Sequence, residues 1–256
     1  ISMQFDLLTT RPAARLTMGN ERRFTMHHLV FLTFLLCTIS ASAQDLSTNI
    51  NIFDTIPFIP DHGKEMRARF AAQPVTNGRT IFLGNSITEM GDWKTLTGDT
   101  TVLNRGIGGD ITYGVLDRLD EVIRHRPGKI FLLIGINDIG KDIPDPVIVS
   151  NILKIAARIK SGSPSTQLHI QSILPLNPDL PHFPQHYDKQ AHVLRVNKLL
   201  KEACANQGLS FINIHDLFTD GKGRLKAELT GDGLHLKPEG EGYRTWVAYL
   251  RRKKYL

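Results

Sequence analysis

From Thr80 onward, short apolar runs alternate with stretches in which apolar positions recur at three- and four-residue steps. The runs Thr80–Leu83, Thr101–Leu103, Lys129–Ile134, Gln167–Ile173 and Leu209–Ile214 read as strands buried on both faces. Between them, Val115, Leu116, Leu119, Val122 and Ile123 predict one buried helix face, and Ile148, Ile152, Ile155, Ala156 and Ile159 predict another. Val193, Val196, Leu200, Ala203 and Cys204 share a third, and a last helix carries Tyr243, Trp246, Val247 and Leu250. Strands alternating with helices predict an α/β fold, a three-layer doubly wound (flavodoxin-like) sandwich around a five-stranded parallel sheet.

Two stretches depart from this pattern. Residues 44–79 carry Pro57, Pro60 and Pro74 around a short helical candidate from Lys64 to Ala72, and read as an N-terminal wrap before a domain spanning 80–256. In Pro175–Asp188, prolines at 175, 178, 181 and 184 recur every third residue and favour an extended loop. Such a loop after a strand end either walls a ligand cleft or is a plain surface connection.

Ahead of the wrap, Arg22 and Arg23 precede an apolar run from Leu29 to Ile39, followed by Ala41-Ser42-Ala43. This order predicts a secretory signal peptide within residues 1–43, cleaved after Ala43, and a periplasmic or secreted product. The run falls short of the roughly 20 residues a spanning helix needs, so no stable membrane anchor is expected. Leu36 before Cys37 stands where a lipoprotein site would have a small residue. Cleavage would remove four arginines with Asp6 and Glu21, leaving 213 residues and a net charge of +4. Of the two cysteines only Cys204 then remains, and its place on an apolar helix face predicts a buried, inert thiol.

Composition narrows the class: 41% hydrophobic and 22% charged residues are those of a globular chain, not of a disordered or disulfide-stapled one. The full chain carries +6, but acidic residues interleave with the basic ones, so no nucleic-acid stripe is indicated. The closing Arg251-Arg252-Lys253-Lys254 suits a helix C-terminus.

In an open parallel sheet the ligand crevice lies beyond the carboxyl ends of the strands. Three turns there are polar and glycine-rich: Gly84-Asn85-Ser86-Ile87-Thr88, Asn104-Arg105-Gly106-Ile107-Gly108-Gly109-Asp110, and Gly135-Ile136-Asn137-Asp138. Thr230-Gly231-Asp232-Gly233-Leu234-His235 precedes the last helix. Ser86 at a strand-to-helix turn is either a helix cap or an exposed nucleophile. Asp232 and His235, three apart, can pair as a base and its orienter, or serve as a turn residue and a surface histidine.

Taken together, these four motifs resemble the SGNH, or GDSL-like, esterase and lipase family, in its platelet-activating-factor acetylhydrolase-like and bacterial carbohydrate acetylesterase branch. The resemblance spans about Thr80 to Leu250 and implies Ser86 as nucleophile, His235 as base and Asp232 as its orienter. It further implies an oxyanion hole from the Ser86 and Gly109 N–H groups and the Asn137 amide. Asn85 departs from the aspartate that gives the family its name. The implied protein is a serine ester hydrolase needing no metal or organic cofactor, acting on a small acyl ester or acetylated carbohydrate. A lysophospholipase or phospholipid acetylhydrolase is the alternative, and a non-catalytic carbohydrate-binding module a remote one.

Other classes fit less well. A dinucleotide fingerprint through Gly106 and Gly108 would need glycine where Ile111 stands. A zinc pair at His182 and His186 is interrupted by Pro184, and a Gly-x-Ser-x-Gly elbow would need glycine at Thr88.

Overall fold

The computed structural model describes residues 61–180, 182–186 and 188–256. The expected signal peptide, its cleavage site and residues 44–60 of the expected wrap lie outside the described residues.

Five strands, β1 (Thr80–Gly84), β2 (Leu103–Gly106), β3 (Lys129–Leu133), β4 (Gln167–Gln171) and β5 (Ser210–Ile212), form one sheet in the order β2-β1-β3-β4-β5. Every pairing is parallel. The order is the flavodoxin-like one expected from the alternating pattern, with its switch point between β1 and β3.

Helices cover both faces. On one side lie α4 (Thr112–Asp117), α5 (Leu119–Ile123), α7 (Asp145–Gly162) and α8 (Gln190–Asn206). On the other lie α3 (Trp93–Thr97), α9 (His215–Phe218) and α10 (Glu241–Arg252). The predicted apolar stripe of α7 is buried from Ile148 to Ile159, and Tyr243, Trp246, Val247 and Leu250 of α10 are buried as their spacing requires. An aromatic stack joins sheet to helices: the Phe82 and Trp93 rings lie 3.8 Å apart, and Trp246 meets Trp93 edge-on at 5.1 Å. Cys204 is fully buried, which pushes its thiol up to about 11 and leaves it unreactive at neutral pH.

Ahead of the sheet, α1 (Asp61–Ala71) occupies nearly the predicted helical stretch. Arg67 holds it through an ion pair with Asp117 and a 3.0 Å bond to the Gly114 carbonyl, and Arg124 takes the Phe70 carbonyl at 2.9 Å.

The structure corrects three boundaries. The second strand runs Leu103–Gly106, not Thr101–Leu103, because Asn104 and Arg105 satisfy their polar groups inside the sheet. The Asn104 amide donates to the carbonyls of Thr88, Glu89 and Gly91, and the buried Arg105 guanidinium pairs with Glu121 at 3.0 Å. The helix expected over 115–123 is two, α4 and α5, broken at Arg118. Val115, Leu119 and Val122 stay buried across the break, so their spacing does not reveal it. Finally β4 and β5 stop short of the apolar runs: after a last bond from the Ser172 N–H to the Ile212 carbonyl at 3.0 Å, the Ser172 hydroxyl accepts the Ile214 and His215 N–H groups.

Candidate active site

Strand register sets the site. Gly84 pairs with both Gly106 and Leu133, so the three glycine-rich turns leave the sheet abreast of one another. A Cβ at Gly84 would stand 2.2 Å from the Leu133 carbonyl oxygen, so this position must be glycine for the strands to close.

Ser86 opens the short helix α2 (Ser86–Glu89), and its capping alternative falls away: Asn85 is the cap, its side chain accepting from the Ile87 N–H at 3.0 Å. The serine hydroxyl instead lies 2.9 Å from His235 Nε2, a residue 149 positions away. On the far side of the ring, Nδ1 lies 2.7 Å from Asp232 Oδ2. A carboxylate only accepts, so Nδ1 carries the proton and Nε2 is free to accept from Ser86. Asp232 Oδ1 takes the N–H groups of Leu234 and His235 at 2.9 and 2.8 Å. Burial pushes this carboxyl up, but those bonds and the imidazole outweigh it and hold Asp232 below the usual carboxylate range.

The proline-rich segment is drawn onto this histidine turn. Asn177 donates from its backbone to the Gly233 carbonyl at 2.8 Å, and Phe183 sets its ring edge-on to His235 at 5.3 Å. A short 3₁₀ turn at Pro184–His186 interrupts the extended course expected there. A cavity beside it is lined by Leu176, Asn177, Phe183, His186, Asp232 and Leu234, among others. The segment is therefore packed against the turn that carries Asp232 and His235.

Gly109 is exposed in a turn closed by the Asp110 N–H on the Ile107 carbonyl, with φ at +77° as its third position demands. Asn137 lies in the first turn of α6 (Ile136–Gly140), half-buried, and its Nδ2 donates to the Asp110 carbonyl at 2.9 Å. That bond uses one of the two amide hydrogens. Ser86, Asp232 and His235 thus form one hydrogen-bonded chain, while the Asn137 amide is tied to the loop that carries Gly109 at the same sheet edge.

Sequence reasoning quoted Asp110 and Asp138 inside motifs but gave them no work. Asp138, fully buried, accepts the Thr112 N–H with both oxygens and the Thr112 hydroxyl with one, anchoring the start of α4. Burial pushes its carboxyl up to about 6 despite those bonds. Glu89, at the end of α2, takes the Gly108 N–H and pairs with His62 of α1 at 2.8 Å. Only its position three residues after Ser86 signalled it. Among the described residues no group of three His, Cys, Asp or Glu side chains is arranged to hold a metal ion. His182 is exposed and His186 buried.

A flavodoxin-like sheet with a serine, a histidine and an aspartate bonded in series at its carboxyl edge suits acyl transfer, and the protein is a carboxylic ester hydrolase. Residues 82–243 match the GDSL-like Lipase/Acylhydrolase family, and the chain belongs to it. An arylesterase of Vibrio mimicus is 31% identical over 153 residues, covering 59% of this chain and 67% of that protein. A Streptococcus pneumonia structure described as a platelet activating factor superposes with a TM-score of 0.68 at 28% identity, covering 84% of this chain and 98% of its own. A GDSL-like lipase of Bacteroides thetaiotaomicron shares the fold at a TM-score of 0.65 and 24% identity, over 75% and 98% of the two chains.

Proposed function

We propose that this ester hydrolase removes short acyl groups, acetyl above all, from carbohydrates outside the cytoplasm, through a Ser86–His235–Asp232 triad and an acyl-enzyme. The observation that carries the triad is the 2.9 Å approach of Ser86 Oγ to His235 Nε2, backed by Asp232 at 2.7 Å. Ser86 Oγ attacks the ester carbonyl as its proton passes to His235 Nε2, and Asp232 stabilises the imidazolium. The oxyanion is taken by the Ser86 and Gly109 N–H groups and the Asn137 amide. Collapse expels the alcohol with the proton from His235. Water then attacks the acyl-enzyme with His235 again as base, releasing the acid and restoring Ser86.

The substrate reading rests on the proline-rich segment beside His235 and on the order Arg22–Ala43 that suggests export. That segment is pinned by Asn177 to Gly233 and Leu225 rather than hung as an apolar lid, and places Phe183 on His235 and the exposed His182 nearby. An acyl or acetyl ester on the glycerol of a phospholipid, as a lysophospholipase or phospholipid acetylhydrolase would cleave, is the second reading, favoured by the likeness to the Streptococcus pneumonia structure and by the basic charge of the chain.

A fluorophosphonate probe should label Ser86 and fail on Ser86→Ala; labelling that persists removes Ser86 from the role. kcat/KM for p-nitrophenyl acetate, p-nitrophenyl octanoate and lysophosphatidylcholine, followed by acetate release from acetylated xylan, tests the substrate. A tenfold preference for octanoate or lysolipid, about 1.4 kcal/mol in transition-state binding, overturns the short-acyl reading and leaves the serine chemistry standing.

A further inference from the structure

At the break between α4 and α5, the Arg118 side chain turns inward, with only 4% of its surface exposed. Its guanidinium makes three bonds along one edge. Nε donates to Asp110 Oδ2 at 2.8 Å, and Nη2 donates to the Gly84 carbonyl at 3.1 Å and the Arg105 carbonyl at 3.0 Å.

Each acceptor belongs to a different part of the site. Gly84 ends the strand that delivers Ser86, and its carbonyl also accepts the Ile107 N–H at 3.1 Å. Arg105 lies in the strand that feeds the Gly108–Gly109 turn. Asp110 follows Gly109 directly, and its carbonyl is the acceptor of the Asn137 amide. The Asp110 carboxylate has its second oxygen on the Ile111 N–H at 3.1 Å, and a Cβ on Gly114 would lie 1.8 Å from that oxygen. The sequence leaves room at 114 for this ion pair and for nothing larger.

We propose that Arg118 is a positioning residue for the oxyanion hole: through Gly84, Arg105 and Asp110 it sets the spacing between the Ser86 N–H, the Gly109 N–H and the Asn137 amide. The inference rests on the oxyanion reading given above. The planar fork is what the task requires, because one rigid group must meet a carboxylate and two carbonyls at fixed angles. A lysine keeps the charge but offers no such fork. Donors aimed at a developing oxyanion tolerate little displacement, so loss of the clamp should weaken transition-state binding and spare ground-state binding.

The test compares Arg118→Lys, Asp110→Asn and Asn137→Ala in the full protein, using p-nitrophenyl acetate turnover and inhibition by an aryl trifluoromethyl ketone. Ser86 Oγ adds reversibly to the ketone carbonyl, the hydroxyl proton goes to His235, and the π electrons become an oxyanion, so the inhibition constant reads the hole without turnover. Arg118→Lys should lower kcat about 10- to 100-fold with KM within threefold of wild type, and raise the inhibition constant by the same factor as the loss in kcat. Near-UV circular dichroism verifies the fold. Asp110→Asn keeps the side-chain shape and an acceptor for Nε, and should give the same pattern more mildly, so a poorly folded Arg118→Lys does not end the test. Wild-type kcat and inhibition in both variants, or a rise in KM alone, would overturn the proposal provided Asn137→Ala is impaired. Wild-type behaviour of Asn137→Ala would unseat the oxyanion reading itself.

Discussion

Tyr243 of α10 donates its phenol hydrogen to the Ile87 carbonyl at 2.7 Å, joining the last helix to the turn that holds Ser86. The phenol is buried, which raises its pKa and keeps it a donor across the working range. Because α2 is a single turn, the Ile87 carbonyl depends on this partner from outside the helix.

Tyr243→Phe should therefore cost about 1–3 kcal/mol of stability, the range for a buried carbonyl left without its donor. Urea unfolding followed by tryptophan fluorescence measures it. A change below about 0.5 kcal/mol would mean the carbonyl finds another donor.

The carboxylate behind the histidine gives a second test. Asp232→Asn keeps the shape but allows the amide to donate toward Nδ1, favouring the wrong imidazole tautomer. kcat should fall by as much as about 10⁴, with KM little changed. Steady-state kinetics on p-nitrophenyl acetate checks this, and retention of more than a tenth of wild-type kcat would remove Asp232 from the triad.

Gly233 sits between Asp232 and the histidine turn at φ +82°, where a Cβ would lie 2.3 Å from the Asn177 carbonyl oxygen and 2.6 Å from that of Leu180. Gly233→Ala meets both the conformational cost and the clash, and should destabilise by about 1–3 kcal/mol. Since the same loop carries Phe183 onto His235, kcat/KM should fall with it. Thermal denaturation and kinetics on one preparation would expose a variant in which neither moves.

Asp138 supplies a pH dependence with a definite sign. Its folded pKa, about 6, is above the 3.8 of an unperturbed aspartate, so the folded state binds the extra proton. The burden of the buried charge is full above pH 6 and is relieved as pH falls toward 4. Asp138→Asn removes the titration. Its stability relative to wild type should therefore drop by about 1 kcal/mol between pH 7.5 and pH 5, as measured by denaturant unfolding at the two values. A difference independent of pH would show that the carboxyl is not displaced.

The layered fold and the motifs were readable in advance because both are local. A parallel strand buried on both faces needs a continuous apolar run, and a close approach at a strand end needs glycine, so Ile81–Gly84 and Ile130–Leu133 announced themselves. Ser86, Asp232 and His235 stood out as candidates in their motifs, while their roles, and those of Gly109 and Asn137, were implied by the resemblance of the four ordered motifs to a known family.

What the chain order does not contain is how distant polar groups satisfy one another. Asn104 and Arg105 looked like a turn because their partners, the α2 carbonyls and Glu121, are met only in the folded sheet. The helix broke at Arg118 because its partners lie at residues 84, 105 and 110, on two strands and a turn, while apolar spacing ran on unbroken. The sequence by itself determined which residues are apolar, which turns are glycine and which side chains have acid–base chemistry to offer. Tertiary structure decided that Asn85 and not Ser86 caps α2, that Phe183 reaches His235, and that Gly84, Gly106 and Leu133 end abreast. Those outcomes follow from strand register and from the cost of burying an unpaired polar group, and both are properties of the whole fold.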